Sequence, residues 1–186
     1  MGNLTELPKN LPVPVDDGAC NHLLWQSLPS SALSSTNGRR VDLSALSGRV
    51  VIYCYPMTGQ PGIPLPDGWE EIPGARGCTP QSCAFRDHHQ ELSELETQVF
   101  GLSTQSTEDQ MEAVERLHLP FELLSDCDLS FSKTLKLPMF EIEGKQLLKR
   151  VTLIAEAGKI VKVFYPVFPP DRNADEVIDW LRNNAV

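Results

Sequence analysis

The sequence predicts an α/β fold, a β-sheet packed between helices, and three observations support this prediction. The chain has 186 residues, enough for one domain with a sizeable core. Segments with a strand pattern alternate with segments of helical periodicity, and the chain closes on a hairpin and a helix. Residues 49–56, RVVIYCYP, form an apolar run with β-branched and aromatic side chains, which is typical of a central strand buried on both faces.

The composition argues against several classes of protein. Apolar residues make up 41% and charged residues 22% of the chain, and the formal net charge is −9. Nucleic-acid binding needs a basic face, so nucleic acid is not the expected partner. No apolar run reaches the roughly 18 residues of a membrane span, and the N-terminus carries prolines and acids where a signal peptide needs a lysine followed by an apolar run. We therefore expect a cytoplasmic protein with no membrane partner.

The first part of the chain predicts an arm, a hairpin and a long loop around the central strand. Residues 1–20 are rich in proline and should drape over the surface as an arm, which leaves residues 21–186 as a single domain. Asn37-Gly38 is a strong hairpin dipeptide. Residues 57–77 carry many glycines and prolines and therefore predict a long structured loop. Loops of this length inside a compact domain are usually functional or disordered.

Helix signals follow the loop. Thr79 suits a capping position and Pro80 the first helical position of a helix that runs to about Glu96. The residues that recur with helical spacing, and so share one side of this helix, are Ala84, Phe85, His88, Leu92 and Leu95. QVFGLST predicts the next strand. A second helix begins with Thr107 as its cap, has acidic residues in its first turn and runs to His118.

The remaining elements complete the sheet. FELLSD predicts a short strand and LSFSKTLKL a short helix. QLLKRVTLIAEAGKIVKVFYPV predicts two strands joined by a turn at Ala157-Gly158, and NADEVIDWLRNN predicts a last amphipathic helix. Strands that alternate with helices in this way give a sheet sandwiched between helices.

The candidate functional residues lie in RGCTPQSCAFRDHHQEL, residues 76–92, which holds Cys78 and Cys83. Cys78 lies just before or within the first turn of its helix, where unpaired backbone N–H groups and the helix dipole favour an anion. A thiol in such a place is expected to be a thiolate, the nucleophilic form, near neutral pH. In a reducing compartment, the five cysteines are not expected to build a static disulfide framework.

The spacing of the two cysteines carries a geometric constraint. On an intact helix, the step from Cys78 to Cys83 corresponds to a rise of about 7.5 Å and places the Cα atoms roughly 8.7 Å apart. A disulfide spans at most ~7 Å between Cα atoms. The two sulfurs can therefore bond only if the first turn unwinds. This describes a thiol pair that is separate when reduced and joins after local melting.

Other interpretations of this segment compete with a redox pair. Both cysteines are structural if they lie in the core, since cysteine is among the most buried residue types. A metal site would combine Cys78, Cys83, His88 and His89, but zinc sites favour closer cysteines and a second distant pair, which the sequence lacks. TGQPGIPLPDG lacks the Lys-Ser/Thr of a phosphate-binding loop. We therefore predict no metal and no cofactor.

The chain resembles the peroxiredoxins in stretches that come in the family's order: YP, GCTPQSCAFRD, VFGLST, LLSD, KRVTLI and GKIVKVF. More narrowly it resembles the Q-type branch, also called bacterioferritin comigratory protein, in which GCT-x-x-(A/S)-C-x-F-R-D holds both thiols. The resemblance runs from about residue 40 to residue 186. It implies a thioredoxin-like fold: a central mixed β-sheet flanked by helices, with an N-terminal hairpin extension and, in this chain, an inserted loop before the active-site helix.

The resemblance also implies a thiol-dependent peroxidase that reduces hydrogen peroxide and organic hydroperoxides. Cys78 matches the peroxidatic cysteine, which becomes a sulfenic acid, and Cys83 matches the resolving cysteine, which joins it in an intramolecular disulfide. Thioredoxin or a similar dithiol then reduces that disulfide. Arg150 matches the family's active-site arginine, which stabilises the thiolate and can hold the peroxide. Q-type relatives are often monomeric, so a monomer or weak dimer is expected.

The chain departs from the family pattern P-x-x-x-T-x-x-C. Pro56 occupies the proline position, but an insertion separates it from Cys78, and Ala75 stands where the pattern has threonine. Thr58 is the candidate to supply the missing hydroxyl if the insertion loops out and returns; the alternative is a loop threonine that bonds its own backbone. Gln81 replaces a glutamate and is a supporting residue, since it keeps hydrogen-bonding capacity without the charge.

The insertion, residues 59–76, holds Trp69, Ile63 and Leu65 among its prolines. One interpretation is that it folds over the active-site mouth and shapes access for larger organic hydroperoxides. The other is a stiff surface excursion.

The three other cysteines predict no catalytic role. Cys54 lies in the central strand and is expected in the core. Cys127 lies between two aspartates whose charge disfavours a thiolate. Cys20 lies in the arm and could be exposed, and an intermolecular disulfide through Cys20 or Cys127 stays an option.

A second class of function remains open on these observations: a non-catalytic redox sensor or chaperone-like module that uses the Cys78–Cys83 pair as a switch. A disulfide reductase is less favoured, because thioredoxin-type exchange centres use C-x-x-C, whereas this spacing is C-x4-C.

Overall fold

The computed structural model describes residues 3–184. Its central feature is a mixed seven-stranded sheet in the order β2-β1-β5-β4-β3-β8-β9, beside a separate hairpin of β6 and β7. The strands are β1 (Ala32–Ser35), β2 (Arg40–Asp42), β3 (Arg49–Cys54), β4 (Thr97–Ser103), β5 (Glu122–Ser125), β6 (Met139–Ile142), β7 (Lys145–Leu148), β8 (Val151–Glu156) and β9 (Lys159–Phe164). The helices are α1 (Cys78–Asp87), α2 (His89–Glu94), α3 (Thr107–Leu117), α4 (Ser130–Leu135) and α5 (Asn173–Asn183).

The strand β3 lies in the middle of the sheet, parallel to β4 and antiparallel to β8. Its side chains alternate between two cores. Val50, Ile52 and Cys54 face the core that includes α4, whereas Val51 and Tyr53 face the core formed with α1, α2, α3 and α5. This confirms the prediction of a central strand buried on both faces, and it explains why its apolar run is continuous.

Two predicted turns are confirmed. β1 and β2 form a hairpin around Asn37 and Gly38, and β8 and β9 are joined at Ala157 and Gly158. Gly158 has a φ of +75°, and a Cβ there would lie 2.6 Å from the carbonyl oxygen of Ser44. Only glycine fits this turn, because both its backbone conformation and the close approach exclude a side chain.

The start of α1 differs from the prediction. The helix begins at Cys78, so Thr79 is not its cap and Pro80 is the third helical residue. Gly77 is the N-cap in a left-handed conformation, with a φ of +110° and no side chain to cap the helix. Pro80 is tolerated because the N–H groups of the first turn have no intrahelical acceptor to lose.

Other boundaries also differ. The predicted single helix ends at Asp87, and a second helix begins at His89, because His88 leaves the helical conformation. The cap of α3 is Ser106 rather than Thr107, since the Ser106 hydroxyl accepts from the backbone N–H of Asp109.

The segment predicted as one strand before the Ala157-Gly158 turn is divided into two. β7 ends at Leu148 and pairs with β6, which the sequence prediction missed, and β8 begins at Val151. Arg150 therefore lies in the break between two strands, and only 3% of it is exposed.

The part of the arm within residues 3–20 packs against the segment that precedes α1. The backbone carbonyl of Asn3 accepts from Arg76 at 2.7 Å. Leu7 lies so close to Gly77 that a Cβ on the glycine would be 2.8 Å from its methyl carbon. Further along, Asp17 accepts from Lys149 at 3.0 Å and from Tyr165 at 2.9 Å. The arm is thus held at both ends against the body of the protein.

The inserted loop is anchored by Trp69, which is buried in a short 3-10 helix. Its indole lies 6.1 Å from the ring of Phe140, and Ala75 and Leu147 complete this small core. The insertion therefore has an apolar core of its own with the β6–β7 hairpin.

Within residues 3–184, no helix combines the length and apolar character needed to cross a lipid bilayer.

Candidate active site

Cys78 is the first residue of α1 and is buried, with 4% of its surface exposed. Its thiol donates to the backbone carbonyl of Ala75 at 3.6 Å. The sulfur lies at the edge of the apolar core beneath α1 rather than open to solvent. The unpaired N–H groups of the first turn and the helix dipole favour an anion at this position.

Arg150 places a buried guanidinium beside the sulfur of Cys78. Its Nη2 donates to the sulfur of Cys78 at 3.2 Å. The guanidinium is fixed by the backbone of the returning loop: Nε donates to Gly74 O at 3.3 Å, and Nη2 donates to Ala75 O at 3.2 Å and Arg76 O at 3.4 Å. A buried arginine held in this way presents a positive charge to the sulfur.

Gln81 lies one turn into α1 and is fully buried. Its Oε1 accepts from Nη1 of Arg150, while its Nε2 donates to Oδ1 of Asn173 at 3.0 Å. The same Asn173 oxygen accepts from the hydroxyl of Thr152 at 2.7 Å. Gln81 therefore connects the guanidinium beside Cys78 to α5 and β8.

Thr58 and Pro56 are both buried close to the end of β3. The backbone N–H of Thr58 donates to Oε1 of Gln105 at 2.8 Å, its hydroxyl donates to the same oxygen at 3.2 Å, and its carbonyl accepts from Nε2 of Gln105. Thr58 is thus bonded to the β4–α3 connection, and the structure records no hydrogen bond from its side chain to Cys78 or Arg150.

Cys83 lies on the same continuous helix as Cys78, and both are free thiols. Burial raises the pKa of Cys83, while the nearby guanidiniums of Arg86 and Arg116 act in the opposite direction. The intact helix agrees with the geometric constraint drawn from the spacing: the two sulfurs are separate while the first turn is formed.

The remaining cysteines lie in different surroundings. Cys54 is fully buried, and burial raises its pKa well above the ordinary value. Cys20, which the sequence left open to exposure in the arm, is also buried, and burial raises its pKa to about 12. Cys127 is exposed. An intermolecular disulfide through Cys20 would therefore require the arm to move.

The sequence reasoning missed two residues of this network, Asn173 and Thr152. No local signal marked either of them, because Asn173 starts a helix and Thr152 lies inside an apolar strand. Their connection to Arg150 arises only when α5 and β8 meet behind α1. Across residues 3–184, no three His, Cys, Asp or Glu side chains gather as a metal site would require.

Two cavities lie beside the segment that precedes α1. One, of about 320 Å³, is lined by Arg150 and Gly74 together with the arm. The other is a groove of about 670 Å³ between the first arm residues, residues 60–65 and the end of α3. The groove is mostly apolar, with Ile63 60% exposed. Arg76 also lines it, with Nε 3.5 Å from Glu70, an ion pair without a hydrogen bond.

Comparison with known proteins identifies the family. A sequence model of the Redoxin family matches residues 25–178. Peroxiredoxin Q of Sedum lineare chloroplasts is 30% identical over 156 residues, which cover 83% of this chain and 75% of that protein. Peroxiredoxin Bcp of Escherichia coli strain K12 is 29% identical over 167 residues, which cover 84% of this chain and 94% of that protein.

The fold is shared with solved structures. The crystal structure of peroxidoxin BcpB from Mycobacterium tuberculosis superposes with a TM-score of 0.71 and 24% identity, and the match covers 88% of this chain and 98% of that one. Peroxiredoxin Q from Xanthomonas campestris gives a TM-score of 0.67 at 24% identity, covering 86% and 96% of the two chains. These likenesses confirm the thioredoxin-like fold. Family match, fold and the arrangement of a helix-terminal thiol beside a buried arginine agree: the chain belongs to the Redoxin family and, within it, to the Q/Bcp-type peroxiredoxins.

Proposed function

We propose that this peroxiredoxin reduces hydroperoxides at Cys78, and the observation that carries the proposal is the guanidinium of Arg150 3.2 Å from the sulfur. The thiolate attacks the terminal oxygen of the hydroperoxide, and the O–O bond breaks. The sulfur keeps the OH group and becomes a sulfenic acid, while the departing oxygen takes a proton and leaves as water or an alcohol.

Arg150 has two parts in this step. It stabilises the thiolate before the attack, and it stabilises the negative charge that develops on the departing oxygen. Oε1 of Gln81 accepts a hydrogen bond from one N–H of Arg150 Nη1. In this proposal the other N–H of Nη1 donates to a peroxide oxygen. Pro56 is buried two residues after the end of β3, and Thr58 assists if its hydroxyl exchanges Gln105 for the peroxide.

Cys83 resolves the sulfenic acid. Its sulfur displaces water from the Cys78 sulfenic acid and forms an intramolecular disulfide. Because both residues lie on α1, the first turn must unwind before they can meet. A dithiol then reduces the disulfide, and we propose that this dithiol is thioredoxin or a similar protein.

We also propose that the protein works in the cytoplasm as a monomer or weak dimer. All five cysteines are free thiols in the structure, as suits a reducing compartment. An intramolecular disulfide between Cys78 and Cys83 needs no second chain, since both residues belong to one helix.

We further propose that the 670 Å³ groove receives the apolar part of organic hydroperoxides. Leu4, Ile63 and Leu65 give it apolar walls, and Arg76 places it two residues from Cys78. Ile63→Asp should lower the rate with cumene hydroperoxide by about tenfold relative to the rate with hydrogen peroxide, since it introduces a charge into an apolar site. Met111→Asp, on an exposed part of α3 outside the groove, is the matched control. An unchanged ratio in Ile63→Asp would remove the groove from the proposal.

Peroxide consumption in a thioredoxin system tests the main proposal. Rapid consumption of hydrogen peroxide by the natural protein, and none by Cys78→Ser, would support the peroxidase function. A Cys78–Cys83 disulfide that forms without turnover would instead support the redox-sensor alternative, which the family assignment does not favour.

A further inference from the structure

A row of two buried amide side chains, those of Gln81 and Asn173, lies behind the guanidinium that contacts Cys78. Arg150 donates to Gln81, and Gln81 donates in turn to Asn173. Gln81, Asn173 and Thr152 have no solvent exposure at all. Arg150 itself precedes β8, Gln81 belongs to α1 and Asn173 begins α5. The hydrogen bonds therefore tie three elements together at the back of the site.

The donors and acceptors in this row follow in order from the arginine. A guanidinium can only donate, so Gln81 must turn its oxygen toward Arg150. The NH2 group of Gln81 then faces Asn173, and the side-chain oxygen of Asn173 accepts its hydrogen bond. Thr152 donates to that oxygen from the other side at 2.7 Å and holds the amide of Asn173 in this orientation. Asn173, held by Thr152, therefore supports from behind the orientation of Gln81 that the guanidinium requires.

This arrangement leaves one polar atom without a partner. Nδ2 of Asn173 is buried and makes no hydrogen bond within residues 3–184. A buried donor without an acceptor reduces stability, so the position is not optimised for folding alone. Because Oδ1 of Asn173 faces both Gln81 and Thr152, the amide orientation that binds these two side chains turns Nδ2 away from them.

The row is also uncharged. Among the hydrogen bonds of Arg150 within the described chain, every acceptor is a backbone carbonyl, an amide or the sulfur of Cys78. A carboxylate at position 81 would neutralise part of the guanidinium charge. The amide pair holds the same geometry and leaves that charge to the sulfur, since an amide accepts a hydrogen bond without a net charge.

We infer that Asn173 is a positioning residue for the peroxidatic reaction: through Gln81 it holds Arg150 against Cys78 without placing a negative charge beside it. The inference rests on the proposed roles of Cys78 and Arg150. Asn173 contacts neither the sulfur nor the guanidinium and acts only through Gln81.

The first test compares two buried amides. The rate constant for oxidation of the reduced protein by hydrogen peroxide is measured before steady state, and urea unfolding of the same samples reports stability. Asn173→Leu should lower the rate constant by about tenfold or more, since residues in one hydrogen-bond network are strongly coupled. Gln110→Leu is the matched control, because Gln110 is equally buried and bonds Ser103 and Leu124 away from the site. Its rate constant should stay within about twofold although its stability falls.

The second test exchanges the partners. Asn173→Asp keeps an oxygen that accepts from both Gln81 and Thr152, so its rate constant should recover to within about fivefold of the natural protein. Gln81→Glu combined with Asn173→Asp brings two carboxylates face to face. The double variant should be slower than the product of the two single effects by at least about tenfold.

A purely structural role for Asn173 would give a different pattern. Asn173→Leu would then lose stability with a rate constant within twofold of the natural protein, or the two single effects would multiply in the double variant. Either outcome overturns the inference. Failure of the proposed function is distinguishable, since in that case the natural protein would not turn over peroxide with thioredoxin, or Cys78→Ser would still react with peroxide.

Discussion

Cys78 and Cys54 are both buried thiols, yet their surroundings are opposite. Cys54 ends β3 in an apolar core with no exposed surface, and burial raises its pKa well above the ordinary value. Cys78 has 4% of its surface exposed, begins a helix and receives a hydrogen bond from a guanidinium at 3.2 Å. Burial is therefore common to both thiols and does not decide which of them reacts.

The difference lies in what compensates the thiolate. In an apolar interior the neutral thiol is favoured, because nothing replaces the hydration that the anion loses. Beside Cys78, the helix terminus and Arg150 supply electrostatically positive partners that the surroundings of Cys54 lack. The same burial then removes competing water, so the contact between sulfur and guanidinium is stronger than it would be at the surface.

The largest expected effect comes from removing this compensation. Arg150→Met should lower the rate constant of Cys78 with hydrogen peroxide by about ten- to a hundredfold, as expected for loss of a hydrogen bond to a charged group, about 1.5–3 kcal/mol. Stopped-flow oxidation of the reduced protein measures it. Arg182→Met, which removes an exposed arginine that bonds Glu91, is the control and should leave the rate constant unchanged. If Arg150→Met reacted with hydrogen peroxide as rapidly as the natural protein, the guanidinium would not explain the difference between Cys78 and Cys54.

A second effect concerns the step after oxidation. Cys83→Ser should leave the first oxidation intact while the sulfenic acid persists, and cycling with thioredoxin should fall by at least about tenfold because no resolving thiol remains. Trapping the sulfenic acid with dimedone, followed by mass measurement, detects it. Full cycling in Cys83→Ser would show that another group resolves the intermediate.

The pH dependence of resolution follows from the same cysteine. Burial raises the pKa of Cys83. Because the thiolate is the attacking form, its fraction at neutral pH is small and increases as the pH rises toward that pKa. The rate of disulfide formation, measured separately from oxidation, should therefore increase between about pH 7 and pH 9. A rate that falls over this range would contradict the assignment of Cys83 as nucleophile.

The smallest effect on activity is expected at the other thiol. Cys54→Ala should lower the free energy of unfolding by about 1 kcal/mol, since it leaves a small cavity in the core, while the peroxide rate constant changes by less than about twofold. Urea unfolding and stopped-flow oxidation measure the two quantities. A large loss of peroxide reactivity in Cys54→Ala would show that the core thiol participates in the chemistry.

Much of the fold could be predicted because its signals are local. The apolar run of β3, the hairpin dipeptide Asn37-Gly38 and the turn before β9 each depend on residues close together in the chain. The helix carrying both cysteines was also predictable, although its first residue was not. Gly77 adopts a left-handed conformation beneath Leu7 and Pro170, and both of these contacts come from distant parts of the chain.

Other features of the structure, including the position of Arg150 in the site, depend on contacts between distant parts of the chain that no local pattern encodes. The burial of Cys20 depends on the way the arm returns to the body. The break at His88 accompanies side-chain contacts of its imidazole with Glu91 and Asp175, the latter on α5. Arg150 reaches Cys78 only because the inserted loop brings residues 74–76 back to the helix. Family resemblance indicated Arg150, and it gave no indication of Asn173.

Peptide mapping of the protein after one equivalent of hydrogen peroxide tests the proposed cycle most directly. We predict a disulfide between Cys78 and Cys83 within one chain, with Cys20, Cys54 and Cys127 recovered as free thiols. A product in which Cys78 stays reduced, or is bonded to any cysteine other than Cys83, would contradict the proposed chemistry of this helix.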